Sequence, residues 1–309
     1  MPAAPSRDQD FWLADGNVVL LAGDHAFRVH QSILCRRSDV FHNLFRVPQP
    51  EGGEMIDGCP VVCLSDSRHD VRCLLKALYD GSSFPDPQTR WEFWTLAALI
   101  RMGHKYEMAA ICASALDCMK TGFPEDLDAW LDVCASGLES ERMTFEAEHA
   151  IVAIRLARLT QTDSMLPAAF YLCCQLDSRH LIDGVTDIDG VKHVLDPEDL
   201  ARCIDGRAQL QGNVNALAAR ILKPKADAMC SKRDTCRGEM QMVRDRLLYE
   251  GMSSCNVFSP PWEESVNDMC SRICNLCAAN IRKRRRTFER RVWSLVPNMI
   301  GLIKDDSNR

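Results

Sequence analysis

The sequence predicts a mixed α/β (α+β) protein, with a small sheet flanked by helices at the N-terminus and a mostly α-helical second half. Three observations predict this fold class. Residues 15–45 have the pattern of strand, turn, strand and two short helices, residues 60–78 add a strand and a helix, and apolar residues recur at helical spacing from residue 126 onward. With 309 residues, the chain is long enough for two domains, because single cores stop growing at about 250–300 residues.

The first unit changes its hydrophobic period twice within 31 residues. Residues 18–21 are a continuous apolar run that suits a buried strand, and residues 23–24 are a Gly-Asp turn before the alternating residues 27–30. We expect Ser32 to cap the first helix and Ser38 to cap the second, because serine hydroxyls accept hydrogen bonds from free N–H groups at helix starts.

Six residues of this unit carry a family signature: Phe27, Val29, His30, Leu34, Ser38 and Phe41. The arrangement strongly resembles the start of a BTB/POZ domain. A third strand at residues 60–66, a helix ending in the Leu-Tyr-turn-Gly segment 78–81, and a helix-breaking link at 103–108 continue the resemblance in the right order. This resemblance implies a BTB/POZ fold over residues 10–120. A mostly helical region with a Cys-rich basic tail follows at residues 121–309.

The resemblance implies protein binding. In that family, the helix corresponding to residues 38–45 and its neighbouring loop, here the Pro/Gly-rich residues 46–59, engage another BTB domain or a cullin-type ubiquitin ligase scaffold. The partner-binding candidates are therefore Val40, Phe41, Leu44 and Phe45. Only fourteen residues precede Asp15, fewer than in BTB domains that dimerise by exchanging an N-terminal strand and helix. A short form of the fold, monomeric or joined to a partner through its open surface, fits this N-terminus at least as well as a strand-exchanged dimer.

The second half resembles the helical half of BTB proteins abundant in mushroom-forming (basidiomycete) fungi. Residues 166–176, 181–184 and 195–200 carry the first part of this resemblance, and the CxxC at 274–277 followed by Trp293, Leu295, Pro297 and Gly301-Leu302 carries the second. This resemblance indicates lineage and implies no further activity.

Composition excludes several classes of function. Hydrophobic residues at 46% and charged residues at 26% are ordinary for a globular protein and exclude wholesale disorder. A net charge of −6 argues against general nucleic-acid binding. The N-terminus has no signal-peptide pattern, so we expect an intracellular protein, in the cytoplasm, the nucleus or both, with its sixteen cysteines as reduced thiols.

Four cysteines of the second half are candidate metal ligands: Cys230, Cys236, Cys274 and Cys277. A structural zinc takes four thiolates in tetrahedral geometry, and a CxxC commonly supplies two of them. The five-residue spacing of the first pair is looser than usual, and Cys270 lies four residues before Cys274 on what would be one buried helix face. The sequence therefore favours reduced core thiols and no cofactor, with zinc as the alternative.

The densest charge block is also open to two interpretations. Arg282, Lys283, Arg284, Arg285 and Arg286 are candidates for nuclear import or phosphate contact. The sequence favours a solvated helix face over both of these roles, because the long stems of arginine side chains can cover neighbouring apolar residues.

No arrangement of acid, base and nucleophile is evident, so the sequence does not predict an enzyme. It predicts a protein-interaction module or adaptor that acts through its BTB/POZ domain, and the family resemblance implies, as one role, that it links a partner to a cullin-type ubiquitin ligase. The alternative function is a nuclear regulatory or chromatin-associated protein that uses the basic C-terminal helix.

Overall fold

The computed structural model of the protein describes residues 4–47, 54–80, 86, 89–250, 254–260 and 262–302. Residues 48–53 of the predicted variable loop and Gly81 of the predicted helix ending lie outside the described residues.

The N-terminal region has the predicted strands and helices in the predicted order, together with three strands that were not predicted: Ser6–Trp12, Met55–Ile56 and Trp91–Glu92. Its elements are β1 (Ser6–Trp12), β2 (Val18–Ala22), β3 (His25–Val29), α1 (Gln31–Arg37), α2 (Asp39–Arg46), β4 (Met55–Ile56), β5 (Cys59–Leu64), α3 (Arg68–Tyr79), β6 (Trp91–Glu92), α4 (Phe93–Lys105) and α5 (Ala109–Gly122). Five strands form one sheet in the order β1-β3-β2-β5-β4, in which β1 runs parallel to β3 and β5 parallel to β2. The predicted fold class is confirmed.

One of the two predicted helix caps is right. The Ser38 hydroxyl accepts the N–H of Phe41 at 3.1 Å and caps α2. The cap predicted at Ser32 is wrong, because α1 already begins at Gln31. There the Gln31 N–H donates to the side-chain oxygen of Asn17 at 2.9 Å, so a neighbouring loop satisfies the helix start.

The edge strand β1 lies within the fourteen residues before Asp15. Its buried residue Asp8 accepts hydrogen bonds from the N–H groups of Asp10 and Phe11, from the His25 ring and from Arg72. Burial alone would raise the pKa of Asp8, but these hydrogen bonds outweigh it and lower the pKa below its ordinary value. The strand is therefore attached to the sheet by an ionised, fully bonded carboxylate as well as by its backbone.

The second half is mostly helical, as predicted. Its elements are α6 (Leu127–Ala135), β7 (Met143–Thr144), α7 (Ala150–Thr160), α8 (Leu166–Cys173), α9 (Ser178–Asp183), β8 (Val185–Thr186), β9 (Lys192–His193), α10 (Pro197–Ile221), α11 (Arg233–Glu250), α12 (Glu263–Arg272) and α13 (Asn275–Met299). None of the helices in the described part of the chain has the length and apolar character needed to cross a membrane.

A continuous core joins the two halves through α4. Residues 96–100 of this helix are all fully buried, and they belong to a hydrophobic cluster that continues through the second half as far as Ile300. Farther along α4, Met102 belongs to the separate core under the sheet, with Tyr106 just beyond the helix end. The boundary predicted at residue 120 falls inside α5, two residues before its end.

Polar contacts also cross between the halves. β6 pairs in parallel with β7, which places Trp91 opposite Met143. Asp189, in the turn between β8 and β9, accepts the backbone N–H of His69 at 2.9 Å and pairs with Arg68 at 3.0 Å, and so stabilises the start of α3. The two halves therefore share both apolar and polar interfaces.

Replacing Gly103 with alanine tests the tight crossing of α4 and α5. A Cβ at this position would lie 2.8 Å from the backbone N of Cys112, so we expect Gly103→Ala to destabilise the protein by about 1–3 kcal/mol. Gly212 of α10 is the matched control, because a Cβ there meets no atom within 4 Å. Gly212→Ala should stabilise by about 0.5–1 kcal/mol. Urea unfolding measures both changes, and equal effects in the two variants would contradict the packing.

His149 predicts a pH dependence at the junction of the two halves. Its ring stacks on Phe93 at 4.5 Å, and burial lowers its pKa to about 4. The ordinary histidine pKa is about 6.5, so the unfolded chain takes up a proton first, and stability present above pH 6.5 is lost as the pH falls towards 4, by up to about 3 kcal/mol. His149→Asn should flatten this dependence in unfolding measured across that range, whereas the exposed His104→Asn should preserve it.

Candidate functional site

The first candidate site is the surface of α2, which is held rigidly at its start. Ser38, itself 3% exposed, caps α2 and also donates its hydroxyl to the carbonyl oxygen of Tyr106 at 2.7 Å. The Tyr106 hydroxyl in turn donates to Asp66 at 2.5 Å. This chain of hydrogen bonds connects α2 to the link between α4 and α5 and to the end of β5.

Phe41 cannot contact a partner directly. Its side chain is fully buried, and its ring stacks on the rings of Tyr106, at 4.2 Å, and Phe45, at 5.9 Å. Its assignment as a partner-binding residue is therefore corrected. The hydrophobic pattern of so short a helix did not distinguish the core-facing side from the partner-facing side.

The other predicted partner-binding residues lie at the border of the core. Val40, Leu44 and Phe45 are each half-buried. Val40 and Leu44 are one helical turn apart on one side of α2, and Val47, which follows the helix, is 60% exposed. We call Val40, Leu44 and Val47 the α2 stripe.

The α2 stripe has a basic surrounding. Arg36 and Arg37 end α1, Arg46 ends α2, and all three are exposed, whereas Asp39 is the exposed acid of the same two helices. Such an apolar strip with a charged rim is typical of a protein-binding surface. The excess of arginine would favour an acidic partner surface.

The second candidate site is formed by the four cysteines singled out in the sequence. Cys230, Cys236, Cys274 and Cys277 have their sulfur atoms all within 4.8 Å of one another. The Sγ atoms of Cys230 and Cys236 are 3.7 Å apart, and those of Cys230 and Cys274 are 3.5 Å apart. We call these residues the four-cysteine cluster.

The local backbone explains why the CxxC segment reaches the cluster. The interpretation that Cys270, Cys274 and Cys277 share one helix face is wrong, because α12 ends at Arg272 and Ile273 is extended. Cys274 then occupies the N-cap position of α13. This break turns the CxxC away from Cys270 and towards the loop and first turn that carry the other two thiols.

Backbone N–H groups donate to two sulfur atoms of the cluster. The N–H of Asp227 donates to Cys277 Sγ at 3.3 Å, and the N–H of Cys274 donates to Cys236 Sγ at 3.4 Å. The N–H of Cys277 lowers the pKa of the Cys274 thiol to about 7, while burial raises the pKa of the Cys236 and Cys277 thiols. Two of the four sulfur atoms thus have a backbone donor that can stabilise negative charge.

The basic block lies entirely in α13, and part of it is paired with carboxylates. Arg285 forms ion pairs with Glu263 and Glu289, both at 2.7 Å. Arg286 pairs with Asp128. Two of the five candidate residues therefore hold α13 to α12 and α6.

The other three residues of the basic block differ in exposure. Arg282 and Lys283 are exposed, and Arg284 is half-buried. Only the first two thus present their charges freely to solvent.

His30 has a structural setting. Its backbone N–H donates to the Tyr79 hydroxyl at 2.9 Å. Its ring atom Nδ1 lies 3.0 Å from the same oxygen, and its ring atom Nε2 lies 3.2 Å from a carboxylate oxygen of Asp15. These bonds hold the corner between β3 and α1 to the end of α3.

Comparison with known proteins agrees with the N-terminal architecture. The family model of the BTB/POZ domain matches residues 11–121, which run from the end of β1 to the last turn of α5. None of the curated proteins matches the chain.

Two neighbouring substitutions in α2 test the placement of its side chains. Phe41→Ala should destabilise the protein by about 3–5 kcal/mol, because it removes a fully buried ring. Val40→Ala should cost less than about 1 kcal/mol, because its side chain is half-buried. Chemical unfolding of the full chain measures both values. Similar costs would mean that Phe41 is not the residue that anchors α2.

Proposed function

Because residues 11–121 form a BTB/POZ domain, a protein-interaction module, we propose that this protein is an adaptor that binds a partner through the α2 stripe. The partner class is a cullin-type ubiquitin ligase scaffold. The helical half then holds a second protein, which the adaptor brings to the ligase. An adaptor of this kind works inside the cell, in the cytoplasm or the nucleus.

The observation that carries the proposal is an anchored helix with a partly exposed apolar edge. Ser38 and Phe41 fix α2 to the core, while Val47 remains 60% exposed. An anchored helix loses little conformational freedom on binding, so apolar contacts along its edge contribute directly to affinity. The arginines around the stripe would add attraction at a distance for an acidic partner.

The ion pairs made by the arginines of α13 argue against the alternative function, a nuclear or chromatin-associated protein. Phosphate contact needs cations that are free to bind, since each neutralised phosphate requires a Lys or Arg. Arg285 and Arg286 are instead bonded to carboxylates within the fold. We therefore assign α13 a structural role.

One chain joins the BTB/POZ domain to a helical half with the CxxC-Trp-Leu-Pro arrangement. We propose that the helical half supplies the specificity of the adaptor.

Charge introduced into the α2 stripe should remove scaffold binding. We expect Leu44→Glu and Val47→Glu each to weaken binding of a purified cullin-type scaffold by at least about tenfold, because a carboxylate would be buried against an apolar contact. Ile204→Glu is the matched control, since Ile204 is an equally exposed apolar residue, at 55%, on α10. Isothermal titration calorimetry measures binding, and circular dichroism checks the folding of each variant.

The same proteins separate the possible outcomes. Equal loss in the Ile204→Glu control would contradict the assignment of the stripe. If no scaffold binds and light scattering gives twice the chain mass of 34.8 kDa, a mass halved by Val47→Glu, the stripe joins two copies of this chain and the cullin proposal is wrong.

A further inference from the structure

The four-cysteine cluster collects thiols from three separated parts of the chain. Cys230 lies in the loop before α11, Cys236 in the first turn of α11, and Cys274 and Cys277 at the start of α13. Thirty-eight positions of sequence separate Cys236 from Cys274. The four sulfur atoms do not meet because their residues share one buried helix face. The chain leaves the helical conformation between Cys270 and Cys274.

Distances within the cluster match one tetrahedral metal ion. Zinc–sulfur bonds of about 2.3 Å at the tetrahedral angle place the sulfur atoms about 3.8 Å apart. The separations of 3.7 Å and 3.5 Å, with all four atoms within 4.8 Å, agree with that geometry. From this agreement we propose that Cys230, Cys236, Cys274 and Cys277 bind one zinc ion.

The site is structural. All four positions of the tetrahedron are taken by protein sulfur, so no position remains for a water molecule or a substrate. Three of the four cysteines are buried, and Cys274 is partly exposed, which gives the ion a path of entry.

Backbone donors supply the surroundings that a tetrathiolate site needs. Two sulfur atoms, those of Cys236 and Cys277, accept backbone N–H groups, and such donors orient metal ligands and stabilise their charge. Asp227, whose N–H is one of these donors, also accepts a hydrogen bond from the Asn280 side chain, so the loop before α11 is held against α13.

The segment that carries Cys230 and Cys236 is locally basic. Residues 222–237 contain five lysines and arginines and two aspartates. The chain as a whole is acidic, with a net charge of −6. The excess of cations is therefore a property of this segment.

Two other chemistries fit less well. A disulfide needs sulfur atoms about 2.05 Å apart, far closer than the separations found here. An iron–sulfur cluster divides its thiolates among several irons, which would spread the sulfur atoms wider than one ion does. A single tetrahedral ion ligated by four soft sulfur atoms is typical of zinc.

Zinc at this site would close the α11–α12 segment into a loop. The ion joins the first turn of α11 to the start of α13, so binding energy at the site becomes folding energy for the C-terminal helices. Removal of the metal should therefore loosen this part of the protein first, while the BTB/POZ domain keeps its own core under the sheet.

Metal content and its dependence on ligands test the proposal. The full chain, produced with zinc supplied, should contain about one zinc per chain by mass spectrometry of the metal. The double variant Cys274→Ser/Cys277→Ser should contain less than about a tenth of that amount, because two ligands of the four remain. Cys270→Ser is the matched control, since Cys270 is a buried thiol of the neighbouring helix that lies outside the cluster, and it should keep its zinc.

Two further measurements separate ligation from folding. A chelator should lower the Tm of the wild-type chain, and added zinc should restore it, whereas neither should move the Tm of the double variant. Cobalt titrated into the stripped wild-type chain should give the strong thiolate charge-transfer absorption of a tetrahedral four-sulfur site. Zinc near zero in the wild type, iron in its place, or equal metal loss in Cys270→Ser would overturn the proposal.

Discussion

The fold depends on the burial of the middle of α4 on all sides. A helix at a protein surface needs one apolar face, but residues 96–100 of α4 are buried without interruption, which requires partners around this part of the helix. The neighbouring helices α3, α5 and α7 supply them. Because the second half covers α4, the BTB/POZ domain and the helices after it are parts of one packed structure.

The packing of α4 also holds α2, the helix of the candidate binding surface, in place. The link after α4 carries Tyr106, whose carbonyl oxygen accepts Ser38 and whose ring stacks on Phe41. A change in the packing of α4 would therefore reach α2 through two contacts. The α2 stripe stays partly exposed, whereas Phe41 of the same helix is fully buried by these contacts.

The spacing of apolar residues along the sequence was sufficient to predict most strands and helices, but not those with irregular local geometry. Apart from the two-residue strand β4, which falls in the predicted loop, the strands and helices from Val18 to Tyr79 follow apolar spacing that the sequence displays directly. β1 was not predicted, because its register shifts between Arg7 and Trp12, so its buried residues Asp8 and Phe11 are three positions apart and do not alternate. Its anchor is a buried carboxylate, which no apolar pattern reveals.

The two candidate sites differed in how far sequence could predict them. The location of the α2 surface followed from the signature residues, but which side of so short a helix faces the core depended on Tyr106, 65 positions from Phe41. The four cysteines were named as one set, yet only the break at Ile273 brings them together. Helical spacing through Cys270 suggested a continuous helix, and tertiary packing overrode it.

The helix α13 connects the four-cysteine cluster to the segment that follows the BTB/POZ domain. This helix has 25 residues and a length of about 37 Å. Its start carries the CxxC, and near its end the Trp293 indole N–H donates to the carbonyl oxygen of Glu125, just after α5, at 2.7 Å. Between these points Arg286 pairs with Asp128. An ion held at the cluster would therefore set the position of the whole helix, and with it the arginines that bind α13 to the rest of the fold.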